Sequence, residues 1–232
     1  MKRILCITGT RADFGKLKPL LAYIENHPDL ELHLIVTGMH MMKTYGRTCK
    51  EVTRENYQHT YLFSNQIQGE PMGAVLGNTI TFISRLSDEI EPDMVMIHGD
   101  RLEALAGATV GALSSRLVCH IEGGELSGTV DDSIRHSISK LSHIHLVANE
   151  QAVTRLVQME KKKAYSHHRL PRFRCYGLFH PPILRRSQRI LRFTIRKLWY
   201  FYVSPRDYRS TFNATICGPI FQSIRIKWPK YH

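Results

Sequence analysis

The 232-residue chain has no apolar run long enough to cross a bilayer. Its opening run, MKRILCITGT, is too short for a secretory leader and reads as a β-strand. Neither a membrane partner nor a signal peptide is expected. Cysteine is sparse and odd in number: Cys6, Cys49, Cys119, Cys175 and Cys217 form no CxxC pair. That argues against a disulfide framework and for a reducing, cytoplasmic setting. GxGxxG, GxxxxGK[ST] and GxSxG are absent, which removes the common dinucleotide, Walker and nucleophile-elbow signatures. No internal repeat is found. His143-x-His145 lacks a third ligand at metal spacing, and Met39, Met41 and Met42 read as core or loop filler. No metal and no cofactor are expected.

The most telling shortage is of acid in the last third. Residues 161–232 hold 17 Lys+Arg and one acid, Asp207, for a net charge of +16. Residues 1–160 hold 15 Lys+Arg against 19 Asp+Glu, net −4. The last third also carries 14 of the 21 Phe, Trp and Tyr residues. The basic character of the whole chain therefore belongs to the tail and says nothing about the partner of the first 160 residues. The break divides the chain into residues 1–160, long enough for one ordinary domain, and residues 161–232, a basic, aromatic-rich tail without a clean hydrophobic period. The tail is expected to be irregular.

Within the first part, short apolar runs alternate with helical patterns. RILCITG (3–9), LELHLIVTG (30–38), DMVMIHG (93–99), LVCHIEGG (117–124) and IHLVAN (144–149) read as strands. Helical patterns cover 16–27, 73–91, 100–115, 131–142 and 150–159. This alternation predicts an α/β fold: a Rossmann-like, doubly wound parallel sheet with right-handed crossovers. Ligands of such sheets bind outside the carboxyl ends of the strands.

Three polar clusters begin where apolar runs stop: GTRADFGK (9–16), HGDR (98–101) and HIEGGELSGTVDDSIRH (120–136). In the first, Arg11 and Lys16 either serve an anionic ligand or are solvated on a tight turn. Asp100 sits where a helix N-cap would stand, so capping competes with chemistry. Glu122 ends an apolar strand before two glycines, which favours a functional carboxylate with close ligand approach. Asp131 and Asp132 open a helix, with Arg135 and His136 four residues after each. A cap plus an i,i+4 pair accounts for them equally, and one aspartate then only caps. Together the clusters place several carboxylates beside Arg and Lys. Crowded carboxylates separate one another's pKa values, so one can act as base and another as acid, and the cations suit a phosphorylated substrate.

GTRADFGKLKPL, IHGDRLEALA and HIEGGELSGTVDDSIRHSISKLSH together resemble the hydrolysing UDP-N-acetylglucosamine 2-epimerases of bacterial sialic-acid and capsule biosynthesis. The non-hydrolysing cousins carry a GTRPE-type first motif, and GTRAD here favours the hydrolysing branch. The resemblance implies the N-terminal half of a GT-B-type two-domain fold with the active site between the domains. It implies UDP-N-acetylglucosamine as substrate, anti elimination of UDP to 2-acetamidoglucal, and hydration to N-acetylmannosamine. It allows a homo-oligomer. The family's catalytic carboxylates fall on Asp100, Glu122 and Asp131, and Arg11, Asp13, Lys16, Arg135 and His136 match its other motif positions.

Residues 161–232 match nothing in that pattern. KKKAYSHHRLPRF has a coding solution that begins in an A-run and, read in a shifted frame, gives Lys-His-Ile-His-Ile-Ile-Gly-Ser-Pro-Asp, a strand and turn like the start of the family's second domain. The tail is therefore expected to be an out-of-frame segment replacing that domain, leaving this chain inactive. Two rivals stand beside this reading: a fragment of a non-hydrolysing epimerase, and a nucleic-acid-binding protein that interleaves Arg with stacking aromatics in its tail. The tail matches no established nucleic-acid-binding motif, so no specific nucleic acid is expected.

Overall fold

The structure, a computed structural model, describes residues 1–159 and the backbone of Tyr176–Gly177. The rest of the expected irregular tail lies outside the described residues. The elements run β1 (Lys2–Thr8), α1 (Arg11–Glu25), β2 (Leu30–Val36), α2 (Cys49–Thr53), β3 (His59–Leu62), α3 (Met72–Ile90), β4 (Met94–His98), α4 (Leu102–Leu113), β5 (Leu117–Ile121), α5 (Val130–Leu141), β6 (Ile144–Leu146), α6 (Glu150–Met159) and β7 (Tyr176–Gly177). The sheet order is β3-β2-β1-β4-β5-β6-β7. Strands β1 to β6 are parallel, and β7 pairs antiparallel with β6. This is the expected Rossmann-like doubly wound sheet, with its winding reversed between β1 and β4.

Strand alternation distributes the apolar residues between two cores. Ile4, Cys6, Leu32, Leu34, Met94, Met96, Cys119 and Ile121 face α1, which contributes Phe14, Leu17, Leu20, Leu21 and Ile24. Leu5, Ile7, Ile35, Val95, Ile97 and Val118 face α3, α4 and α5. Helix α4 packs on the sheet through small residues, with Gly107 and Gly111 set against strand side chains. A Cβ added at Gly111 would stand 2.6 Å from Val118 Cγ2 and 3.2 Å from Val95 Cγ2. Both neighbours are branched strand residues with one preferred rotamer, so neither yields cheaply.

The differences from the sequence expectation lie at element ends and in residues 39–71. Helix α1 starts at Arg11 and not at Lys16, because Thr10 and Asp13 form a capping box. Strand β5 stops at Ile121, so Glu122 lies just beyond it. Strand β3 was not anticipated. HTYL is half-exposed at the sheet edge and carries none of the apolar alternation that marks the inner strands. Between β2 and β3 the chain makes two 3-10 turns, Gly38–Met41 and Lys43–Tyr45.

Gly111→Val should lower unfolding stability by about 1–3 kcal/mol through overpacking. Denaturant unfolding monitored by circular dichroism measures it. An unchanged midpoint would mean that α4 can move off the sheet.

Candidate active site

The winding reversal opens a crevice at the carboxyl ends of β1, β4 and β5, three adjacent strands. The first two polar clusters follow β1 and β4, and the third follows β5. Thr10, in extended conformation, caps α1: its hydroxyl accepts from the Asp13 backbone N–H at 3.2 Å. Asp13 Oδ2 in return accepts from the backbone N–H groups of Thr10 at 3.1 Å and Gly9 at 3.3 Å. This fixes the carboxylate and leaves Oδ1 facing His98, the last residue of β4.

His98 is buried between two anions. Its Nδ1 lies 3.4 Å from Asp13 Oδ1 and its Nε2 lies 3.2 Å from Glu122 Oε2. Burial alone would lower its pKa, but the close approach and charge of Asp13 and Glu122 outweigh that and raise it above the ordinary imidazole value. Glu122 also takes both oxygens to Lys16 Nζ, at 3.0 and 2.7 Å. The His98 contact, opposed by burial and reinforced by Lys16, pulls the Glu122 carboxyl down from 4.5 to about 2. At Asp13 burial pushes upward, and His98, Thr10 and the Gly9 backbone overcome it, so its pKa is lowered.

The backbone of Glu122 is as constrained as its side chain. Its φ of 60° lies in the left-handed region, uncommon for a residue with a Cβ. Its N–H donates to the Leu146 carbonyl at 2.8 Å, and its own carbonyl accepts from Arg135 Nη1 at 2.7 Å. The other fork of Arg135 pairs with Asp100 Oδ2. Asp100 is thus not a helix cap: Arg101 occupies the cap position of α4 and makes no side-chain cap bond. Nor does Arg135 form the local pair with Asp131 that the i,i+4 spacing offered. It spans from α5 to the loops after β4 and β5.

Of the eight residues singled out from sequence, Asp13, Lys16, Asp100, Glu122 and Arg135 fall into this bonded cluster. Arg11 is exposed and its Nε donates to Glu51 of α2 at 3.1 Å. Asp131 accepts from its neighbour Thr129 Oγ1 at 3.0 Å and lies outside the cluster's hydrogen bonds. His136 is half-buried, with Nδ1 lacking a hydrogen-bond partner. The adjacent acid, Asp132, is the one that serves the loop: it accepts from Ser127 N at 2.6 Å and Gly128 N at 2.8 Å.

Three participants were not singled out. His98 and His120 both stand in the quoted clusters, and a histidine closing an apolar strand was the available signal. His120 Nε2 donates to the Gly99 carbonyl at 2.8 Å, and its Nδ1 faces Ser139 Oγ at 3.1 Å. Burial drops its pKa to about 3, so it stays neutral and pins the loop before Asp100. Glu103 is buried on α4, with Oε1 accepting from Asn65 Nδ2 at 3.4 Å. A Cβ at Gly38, which has φ 62°, would lie 2.4 Å from that same oxygen, so only glycine fits there.

The arrangement defines a Rossmann-like α/β domain with an acid–base cluster at its switch point, in which Asp13, Glu122 and Asp100 oppose His98, Lys16 and Arg135. The family profile described as UDP-N-acetylglucosamine 2-epimerase matches residues 22–165. The chain belongs to the UDP-N-acetylglucosamine 2-epimerase family. It is 95% identical over 167 residues to a UDP-N-acetylglucosamine 2-epimerase of Neisseria meningitidis serogroup B, covering 72% of this chain and 44% of that protein. It is 36% identical over 166 residues to a UDP-N,N'-diacetylbacillosamine 2-epimerase (hydrolyzing) of Legionella pneumophila, covering 70% and 44%. The fold also matches the crystal structure of a UDP-GlcNAc 2-epimerase from Neisseria meningitidis bound to UDP-GlcNAc, with a TM-score of 0.60 at 19% identity over 67% of this chain and 42% of that one. The chain thus spans less than half the length of the relatives it matches.

Glu122 has a depressed folded pKa, so its stabilising contribution is present above 4.5 and lost as pH falls toward about 2. The stability difference between the chain and Glu122→Gln should therefore shrink across that window. Urea unfolding of both proteins at stepped pH reads this directly. A difference independent of pH there would remove the ion pairs as its source.

Proposed function

We propose that residues 1–160 form the Rossmann-like N-terminal domain of a hydrolysing UDP-N-acetylglucosamine 2-epimerase, acting in sialic-acid or capsule biosynthesis in the cytoplasm. The observation that carries the reading is the charged cluster at the switch point, where Asp100 meets Arg135 and Glu122 meets both Lys16 and His98. The sugar's C2–H is a weak acid, so removing it needs a placed base, and UDP departure needs cations beside the diphosphate. Elimination breaks the C2–H and C1–O bonds and gives 2-acetamidoglucal and UDP. Hydration then returns a proton to C2 and places water's hydroxyl on C1, giving N-acetylmannosamine.

The residues divide by charge state. Glu122, with a pKa of about 2, stays ionised and is a poor proton carrier at neutral pH. Its part is to hold Lys16 and His98 in place. Asp100 and Asp131 share the proton transfers, Asp100 at the crevice wall and Asp131 from the first turn of α5. Lys16 and Arg135 face the anionic parts of the substrate. Arg11, Asp13 and His136 complete the binding surface, with Asp13 acting through His98.

The hydrolysing specification rests on GTRAD in place of GTRPE, and the name of the 36%-identical Legionella relative supports it. The composition break at residue 161 and the shifted-frame solution support a tail that stands in place of the second domain. Free thiols at Cys6 and Cys49 agree with a reducing compartment.

Sequencing the gene across the codons for Glu160–Ala164 and beyond should reveal a second α/β domain in a shifted frame. The protein made in that frame should convert UDP-N-acetylglucosamine to free N-acetylmannosamine and UDP. In it, Asp100→Asn and Asp131→Asn should each lower kcat by about 10²–10⁴-fold. UDP-N-acetylmannosamine as product would assign the non-hydrolysing reaction instead. The 232-residue chain alone should turn over little or none, and clear N-acetylmannosamine release by it would overturn the account of the tail.

A further inference from the structure

At the opposite end of the sheet, β2 and the unanticipated edge strand β3 bring Glu31, His33 and His59 together. His33 and His59 are register partners, and their rings stack with centroids 4.7 Å apart and planes 14° apart. One ligand atom from each of Glu31, His33 and His59 lies within 4.8 Å of the other two. His33 Nε2 is 2.9 Å from Glu31 Oε1, and His59 Nε2 is 3.7 Å from the same oxygen. We propose that Glu31, His33 and His59 bind a divalent transition-metal ion of the zinc class.

Several features favour a metal over a plain hydrogen-bonded group. The pair His33–Glu31 satisfies itself, but His59 converges on the same carboxylate oxygen without a hydrogen bond. Two histidines and one carboxylate are a zinc donor set, and bonds of about 2.0–2.1 Å put tetrahedral ligands roughly 3.3 Å apart. The present separations bracket that spacing. His33 Nδ1 is 3.0 Å from Tyr61 Oη, the outer-shell partner that a ligating imidazole usually has. His33 is buried while Glu31 and His59 are partly open, beside a surface pocket of about 220 Å³ lined by both. An ion can therefore arrive from solvent and keep water as a fourth ligand. Arg3 Nε, 3.8 Å from Glu31 Oε2, is the nearby opposing charge.

The ion would tie β3 to β2 and is independent of the epimerase reading, since the cluster sits toward the amino ends of both strands. The three residues do not stand out as a group in the sequence, because Glu31 and His33 are 26–28 positions away from His59 and β3 was not foreseen.

The test is titration of the 232-residue chain with Co²⁺, then displacement by Zn²⁺. One equivalent should give the visible absorption of a low-coordinate nitrogen–oxygen site and raise the thermal midpoint. His59→Gln and Glu31→Gln should each weaken binding at least tenfold while keeping the native circular dichroism. Tyr61→Phe, which leaves all three ligands, should weaken it about 10–100-fold. Three outcomes would overturn the proposal: no binding, binding unchanged in both ligand variants, or the near-ultraviolet charge-transfer band of cobalt–thiolate. The second and third would place the ion on other groups, such as the tail's His167, His168 and Cys175.

Discussion

The crevice depends on where Glu122 is held. Its peptide N–H is bound to β6, its carbonyl to Arg135 of α5, and its carboxylate to Lys16 of α1 and His98 of β4. Four elements on both faces of the sheet are thus tied to one residue. The left-handed backbone at that point is what turns the side chain from the strand direction back over β4. A relaxed, extended Glu122 would continue β5 and release the lysine, the histidine and the arginine together. Backbone strain of about 1–3 kcal/mol is expected at such a position, and the converging bonds offset it.

Around that residue acidic and basic groups alternate: Asp13, His98, Glu122 and Lys16 form one chain, and Asp100 with Arg135 a second. The alternation lets three carboxylates crowd into a partly buried crevice without protonating one another, as unpaired neighbours would. It also separates their roles. Glu122 is clasped by Lys16 and His98, whereas Asp100 is held by the Arg135 guanidinium.

Much of this was legible in the sequence, because the parallel core strands are short, nearly unbroken apolar runs and the polar clusters begin where they end. Asp100, Glu122, Lys16 and Arg135 could be assembled from that rule, whereas Asp13 came only with the family resemblance. Partner choice was not legible. Spacing offered Arg135 to Asp131, one turn away, but the helix points it across the crevice to Asp100, 35 positions earlier. Asp131 and Asp132 look interchangeable as letters, yet only Asp132 receives the backbone N–H groups of Ser127 and Gly128. His98 reads as one more polar letter after MVMI. Its weight comes from lying on the strand between those that carry Asp13 and Glu122. Strand β3 escaped notice because an edge strand needs no apolar alternation.

Parallel winding has one more effect at this rim. Helices α1, α4 and α5 each follow a strand directly, so all three begin at the same edge of the sheet. Their aligned peptide dipoles give that edge a positive contribution that comes from the backbone. Neutralising Lys16 or Arg135 would leave that backbone contribution in place. In that sense the electrostatic polarity of the crevice is a property of the topology, and the side chains only sharpen it.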